Sequence, residues 1–348
     1  MNTIKVAAIQ MFSQVGDVAG NLRQAGALIA EAAQAGAQLI VLPEVFNTGY
    51  QYVEANYRLA EALDGPTYRW LRDSAARLGI HLAGALLLRK RGEIYDTLVL
   101  AAPDGRTWEY DKLHPCGWER AYFRPGRQPM VAETDLGKFG LMICYDAAYP
   151  DLFRAYAGRV QLIINSACPP RMGDLQIHFA DGTQLALAEA NVFARHARDR
   201  GNRIFNEDSR AQGQWLGVPI IQAMPGGQFD SPVPRPATSL AFGLTLKPHL
   251  WPLIRQAKHV TVSAPFFGQT LIADTAGQIA ARPDEGQSIA LAEVAVPDSP
   301  PRPIGPQPAM LLQPIDRLMV NMLSWISRSE YNRHRGIQTQ GVRIMNQN

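Results

Sequence analysis

Apolar positions mark out the elements. Residues 4–10 form a mainly apolar run and are read as a strand. Leu22, Ala25, Leu28, Ile29 and Ala32 then recur at helical spacing, with Asn21 as the expected N-cap and Gly36 as the stop. "LIVL" (39–42) is a short continuous apolar run, as expected of a strand covered on both faces. The opening is therefore β-α-β, a pattern of sheets covered by helices. A second helix is expected to start at Gly65-Pro66, to carry Trp70, Leu71, Ala75 and Leu78 on one face, and to stop at Gly79. Residues 80–88 and 95–101 flank "RKRGE" and read as a hairpin. The turn Pro103-Asp104-Gly105 leads to a strand over 108–110. Further strands are expected over 138–143, 162–164 and 218–223, and helices over 152–157 and 186–200.

From 225 to 265 the pattern fails. Prolines at 225, 232, 234, 236, 248 and 252 break it, and the stretch reads as an excursion from the core. Strand signals return over 270–273 and 289–294, with a turn at Ala276-Gly277. Seven prolines between 297 and 314 read as an extended crossing segment. Beyond them Ile315, Leu318, Met319, Met322, Leu323 and Ile326 make an amphipathic stripe, read as a docked helix or an oligomer contact. Arg328, Arg333, Arg335 and Arg343 read as a solvated basic tail. The expected organisation is one unit over 1–296, with an insertion at about 225–265, and an extension over 297–348 that serves oligomerisation or docking.

Composition narrows the class. The 348 residues are 47% hydrophobic, ample for a large core. With 34 basic and 31 acidic residues the net charge is only +3, which points to no nucleic-acid partner. Three cysteines in so long a chain argue against a disulfide framework and suit a reducing compartment. The first residues lack the pattern of a signal peptide, and no apolar run approaches the ~18–20 residues of a membrane span. A soluble, cytoplasmic protein is expected.

Three reactive side chains follow predicted strands: Glu44 after 39–42, Lys112 after 108–110, and Cys144 at the end of 139–143. Ligands collect at such strand ends, where loops converge. A thiol with a pKa near ~8.5 is mostly protonated at neutral pH, so a neighbouring carboxylate can take its proton. An ammonium can then stabilise the thiolate and a later oxyanion.

The segments carrying these residues are "VLPEVFNTGY" (41–50), "YDKLHP" (110–115), "GWERAYFRPG" (117–126) and "GLMICYDAAYPDLFRAYA" (140–157). With "KVAAIQ" near the start, "QLIINSA" (161–167) and "GQTLIADTAGQI" (268–279), they resemble the nitrilase superfamily of carbon–nitrogen hydrolases in the right order. That resemblance implies an α-β-β-α sandwich, often paired into a four-layer dimer. It implies Cys144 as nucleophile, Glu44 as general base, and Lys112 with the Tyr145 N–H as oxyanion donors. Glu119 would position substrate or assist proton transfer. Tyr50, Trp118, Tyr145, Tyr149 and Asn165 are the candidate substrate-binding residues.

One feature departs from the family pattern. The helix and strand that follow the nucleophile region could be supplied by 186–202 or by 209–223, and the sequence leaves both open. Cys168, before Pro169-Pro170, reads as structural, and Cys116, close in sequence to Lys112 and Glu119, reads as a bystander with a place in the site wall as the alternative. His114, His178 and His196 raise a Cys-His hydrolase as a rival, but none sits in a recognisable signature. No histidine pair has metal-ligand spacing beside a third ligand, so no metal is expected, and no phosphate or dinucleotide motif implies a cofactor. The expected activity is hydrolysis of a small-molecule amide or carbamoyl group, with a nitrile as the alternative. An acyltransferase and an inactive scaffold remain as readings of another class.

Overall fold

The computed structural model describes residues 2–190, 201–244, 247–284, 286–309 and 314–345. Two six-membered strand paths pack face to face. In the first, Asn2–Gln10 pairs in parallel with Leu39–Val41 and antiparallel with Ser288–Val296. His81–Lys90 continues in parallel from Leu39–Val41, and Glu93–Ala101 and Thr107–Asp111 follow antiparallel. In the second, Gly137–Ile143 pairs in parallel with Leu162–Ser166, which pairs in parallel with Ile220–Ala223. Antiparallel strands Met130–Thr134 and Leu271–Ala273 flank these three.

The layers follow from which faces are apolar. Val41, Leu98 and Leu100 of the first sheet share one buried cluster with Phe139, Leu141 and Ile164 of the second. The other face of the first sheet is covered by helices Val18–Gln34 and Pro66–Leu78, through Ala25, Leu28, Ile29, Leu71 and Ala75. Helices Pro150–Tyr156 and Ser209–Leu216 cover the second sheet with Leu152, Phe153, Tyr156, Trp215 and Leu216. This is the expected α-β-β-α sandwich. Strand Leu39–Val41, buried throughout, sits inside the sheet with parallel neighbours on both sides, as its uninterrupted apolar run predicts.

Several sequence expectations need correction. The cap of the first helix is Asp17, whose side chain accepts from the Gly20 N–H, and not Asn21. Asn21 lies inside the helix, where its amide donates to the carbonyls of Gln14 and Asn47 and so ties the helix to two loops. A buried amide and a capping amide look alike in sequence. Of the two stretches left open after the nucleophile region, 209–223 supplies the helix Ser209–Leu216 and then the strand Ile220–Ala223 beside Leu162–Ser166. Of the helix expected over 186–200, Leu187–Ala190 is helical after a strand that ends at Ala186, and 191–200, with His196, lie outside the described residues.

The stretch from 225 to 265 is not irregular. It contains strands Gln228–Pro232 and Thr261–Pro265 and helix Pro236–Gly243. These join Gln176–His178 and Gln184–Ala186 in a separate four-stranded antiparallel sheet, so the excursion begins well before 225. Its own small core contains Ile177, Phe229, Leu240 and Val262. Short strands broken by prolines carry too little periodicity to be read in isolation.

The basic end is no free tail. Helix Pro314–Met345 runs through it, and Tyr331 is buried, donating to Glu93 at 2.7 Å and accepting from the Ile94 N–H at 2.9 Å. The docked face of this helix carries Leu323, Ile326 and Tyr331, whereas Leu318 and Met322 of the expected stripe are 54% and 41% exposed. Ile315 and Met319 are outside the described side chains. The apolar stripe is broader than the surface the helix packs against.

One close approach positions the site. A Cβ on Gly126 would lie 2.1 Å from the Asp111 carbonyl oxygen, and the Gly126 N–H donates to the Lys112 carbonyl at 2.7 Å. Backbone cannot give way as a side-chain tip can. Gly126→Ala is therefore expected to cost ~1–3 kcal/mol of stability, read as a shift of the urea midpoint at unchanged m-value; an unchanged midpoint would refute the tight packing at Lys112.

Candidate active site

Strand ends bring the reactive groups together. Glu44 follows Leu39–Val41, Lys112 follows Thr107–Asp111, and Cys144 follows Gly137–Ile143. The chain turns sharply at Cys144, whose φ of 48° lies in the left-handed region that a non-glycine residue rarely occupies. Two partners hold that bend. The Cys144 N–H donates to Asn165 Oδ1 at 3.0 Å, and Asn165 in turn donates to Gln222 Oε1 at 3.0 Å. Asp146, two residues on, accepts from the Ile143 N–H at 3.1 Å. Asp146 also accepts from the Tyr110 hydroxyl at 2.7 Å and the His114 N–H at 2.9 Å. It thereby pins the Cys144 turn to the Lys112 loop.

A buried charge cluster lies beside this turn. Lys112 has no exposed surface, and its Nζ donates to Glu44 Oε1 at 2.6 Å and to Glu119 Oε1 at 2.8 Å. Glu119 also accepts from the Tyr50 hydroxyl at 2.8 Å and from the Cys116 N–H at 2.6 Å. A third acid, Asp96, was not singled out in the sequence. Its Oδ2 lies 3.7 Å from Lys112 Nζ, and neither of its carboxyl oxygens accepts a hydrogen bond from the protein. A buried carboxylate without donors is costly. As a neutral acid, Asp96 can instead donate to Glu44.

The protonation states follow from these contacts. Burial and the nearby Glu44 charge push Asp96 well above the usual carboxylate range, which favours its neutral form. Burial also works against ionisation of Glu44, but the Lys112 charge and hydrogen bonds from Asp96 and Cys168 outweigh it, leaving Glu44 below its ordinary value. Glu119 is raised, chiefly by burial, against the pull of Lys112. Burial opposes the Lys112 charge, yet Glu119 and Glu44 hold the ammonium well above its ordinary value. Burial raises the Cys144 thiol. The resting arrangement is an ionised Glu44–Lys112 pair facing a protonated thiol.

The bystander cysteines turn out to be close. Cys168, read from the sequence as structural, donates from Sγ to Glu44 Oε2 at 2.7 Å and so touches the charge cluster. Its position after Leu162–Ser166, the next parallel strand, is the signal that could have revealed it. Cys116 lines the cavity and gives its N–H to Glu119. The histidines are engaged elsewhere. His114 stacks on Tyr149 at 3.7 Å and its Nδ1 lies 2.8 Å from Asp146, while His178 Nε2 lies 2.7 Å from the Ser263 hydroxyl.

In front of Cys144 is a cavity of about 260 Å³, with Cys144 and Glu119 both in its wall. Tyr50, Trp118 and Tyr145 of the expected substrate-binding residues also line it. Tyr149 does not, being stacked on His114, and Asn165 does not, being wholly buried behind the Cys144 backbone. Periodicity cannot separate a pocket wall from the support one layer behind it. A thiol beside an ionised carboxylate, with an ammonium between two acids, can add to a polarised carbon and hold the negative charge that develops.

Comparison with known proteins gives consistent relatives. The model of the carbon–nitrogen hydrolase family matches residues 5–299. A protein named nitrilase from Pyrococcus abyssi is 34% identical over 158 residues, covering 44% of this chain and 60% of that protein. A 2-oxoglutaramate amidase from Bacillus subtilis is 28% identical over 228 residues, covering 60% of this chain and 87% of that protein. The chain thus spans about three fifths of the length of several curated relatives it matches. Among solved structures, a glutamine variant of the amidase from Nesterenkonia sp. AN1, with the acetamide moiety of fluoroacetamide added covalently at its active-site cysteine, superposes with a TM-score of 0.60 at 21% identity, covering 83% of this chain and 89% of that one. At that identity the likeness is one of fold.

Two substitutions test the charge assignment. Asp96→Asn replaces one neutral donor by another and is expected to change stability by less than ~1 kcal/mol. Lys112→Met strands buried carboxyls and is expected to cost ~3–5 kcal/mol. Chemical denaturation measures both, and a large change for Asp96→Asn in either direction would mean that Asp96 is ionised.

Proposed function

The chain belongs to the carbon–nitrogen hydrolase family, and from that premise we propose that it hydrolyses the amide C–N bond of a small molecule through a thioester on Cys144. The observation that carries this reading is the buried Lys112 ammonium held at 2.6 and 2.8 Å from two carboxyl groups beside a cavity-lining thiol. Glu44 takes the Cys144 proton as the sulfur attacks the carbonyl carbon. Lys112 and the Tyr145 N–H stabilise the oxyanion. The tetrahedral intermediate collapses, the C–N bond breaks, and a proton passed through Glu44 or Glu119 leaves with the nitrogen. Glu44 then activates water, which adds to the thioester and releases the carboxylic acid and the free thiol.

The names of the relatives support the amide reading. They include a 2-oxoglutaramate amidase and an omega-amidase from Danio rerio, and the Nesterenkonia amidase carries its covalent adduct on a cysteine. A nitrile would pass through a thioimidate on the same sulfur. We take residues 5–299 as the hydrolase unit, with the helix Pro314–Met345 as an extension that helps to close the cavity through Val320 and Leu323.

Intact-mass spectrometry during turnover of a primary amide is expected to show an acyl adduct on the wild type and none on Cys144→Ala. Glu44→Gln is expected to lower kcat/KM by ~10²–10⁴-fold, whereas His114→Ala retains most of the rate; an equal loss from the histidine change would favour a Cys-His mechanism. The pH dependence has a definite sign. A thiol raised by burial yields thiolate only as pH climbs above the ordinary cysteine range. In Glu44→Gln, alkylation of Cys144 by iodoacetamide is therefore expected to be slow at neutral pH and to rise through the alkaline range.

A further inference from the structure

Much of the cavity wall comes from outside the sandwich. Ile177 and Val262 belong to the small antiparallel sheet, Leu175 immediately precedes its strand Gln176–His178, and Leu240 and Leu244 belong to the helix Pro236–Gly243 and its end. Val320 and Leu323 come from the C-terminal helix. Among the described lining residues Glu119 alone carries a charge, and its oxygens already accept from Lys112, Tyr50 and Cys116. The other polar groups are also committed. The Ser239 hydroxyl donates to the Pro234 carbonyl at 2.6 Å and accepts from Trp118 Nε1 at 3.2 Å. The described lining residues offer no free countercharge to a desolvated carboxylate, and each buried methylene is favoured against them.

Geometry also decides which side of the substrate faces the chamber. The leaving nitrogen must meet a proton donor, and Glu119 is the one acid among the described lining residues. With its nitrogen toward Glu119, a planar amide directs its acyl substituent away from that acid, into the chamber. A substituent on nitrogen would then face Glu119, beyond which lies a void of about 20 Å³ that Cys144 does not line. That is room for roughly one water-sized group.

We infer that the chamber is an acyl pocket for an uncharged apolar group, so that the substrates are primary amides of alkyl or arylalkyl acids. The inference rests on the hydrolase reading above. The reaction is RCONH₂ plus water giving RCOOH plus ammonia, with no further reactant. At about 260 Å³ the chamber approaches the ~300–1,000 Å³ typical of small-molecule pockets, enough for the amide and a short alkyl chain or a phenyl ring.

The test uses the full chain with propanamide, butanamide, hexanamide and 3-phenylpropanamide, and the monoamide of adipic acid as the carboxylate-bearing match to hexanamide. Released ammonia is measured. We expect kcat/KM to rise about threefold to fourfold per methylene and to fall at least a hundredfold on the carboxylate-bearing amide. Val320→Arg, on the helix that rims the chamber, is expected to narrow that gap at least tenfold. Calorimetry on Cys144→Ala with the same amides separates binding from chemistry. Equal turnover of hexanamide and the adipic monoamide would overturn the apolar pocket while leaving the hydrolase reading intact. Chain-length-dependent binding to Cys144→Ala without turnover by the wild type would do the reverse. Neither turnover nor graded binding would overturn both.

Discussion

An ammonium group with no exposed surface cannot stand alone in a protein interior, and Lys112 is such a group. Removing one charge from water costs several kcal/mol, and only close, well-directed partners offset it. Here the partners are Glu44 and Glu119, from different segments, each within hydrogen-bond distance. Three carboxyls around one cation would leave an excess of negative charge, and the excess is relieved where hydrogen bonds are fewest, at Asp96. The cluster therefore constrains three loops at once, and the placement of the Cys144 thiol depends on it.

The scaffold around this cluster is built for position. The Cys144 bend occupies an unfavourable backbone conformation, and it persists because Asn165, Gln222 and Asp146 fix the peptide groups on both sides of it. Asp146 does more than hold its own turn. By accepting from Tyr110 and His114 it couples the Cys144 turn to the loop that carries Lys112. Such supports act through other residues, and none of them needs to touch a substrate.

Site and pocket have separate origins. The charged cluster comes from the ends of sandwich strands, whereas much of the chamber wall comes from the small sheet, the helix Pro236–Gly243 and the C-terminal helix. The two can vary independently, because replacing one apolar wall residue by another leaves the buried ion pairs untouched. This division accounts for a family resemblance concentrated in the strands and the segments that follow them.

What the sequence by itself determined is local. Continuous apolar runs marked the parallel strands, helical spacing and a terminal glycine marked the helix Pro66–Leu78, and three reactive residues were visible because each follows a strand. Those signals survive in one dimension, since burial and turn chemistry act over a few residues. Tertiary structure alone decided the rest. It brought Asp96 and Cys168 to Glu44, moved Tyr149 and Asn165 out of the cavity wall, and joined residues on both sides of position 200 into one small sheet. These outcomes depend on contacts between segments far apart in the chain, and a buried acid, thiol or amide bears no local mark of the partner that gives it a role.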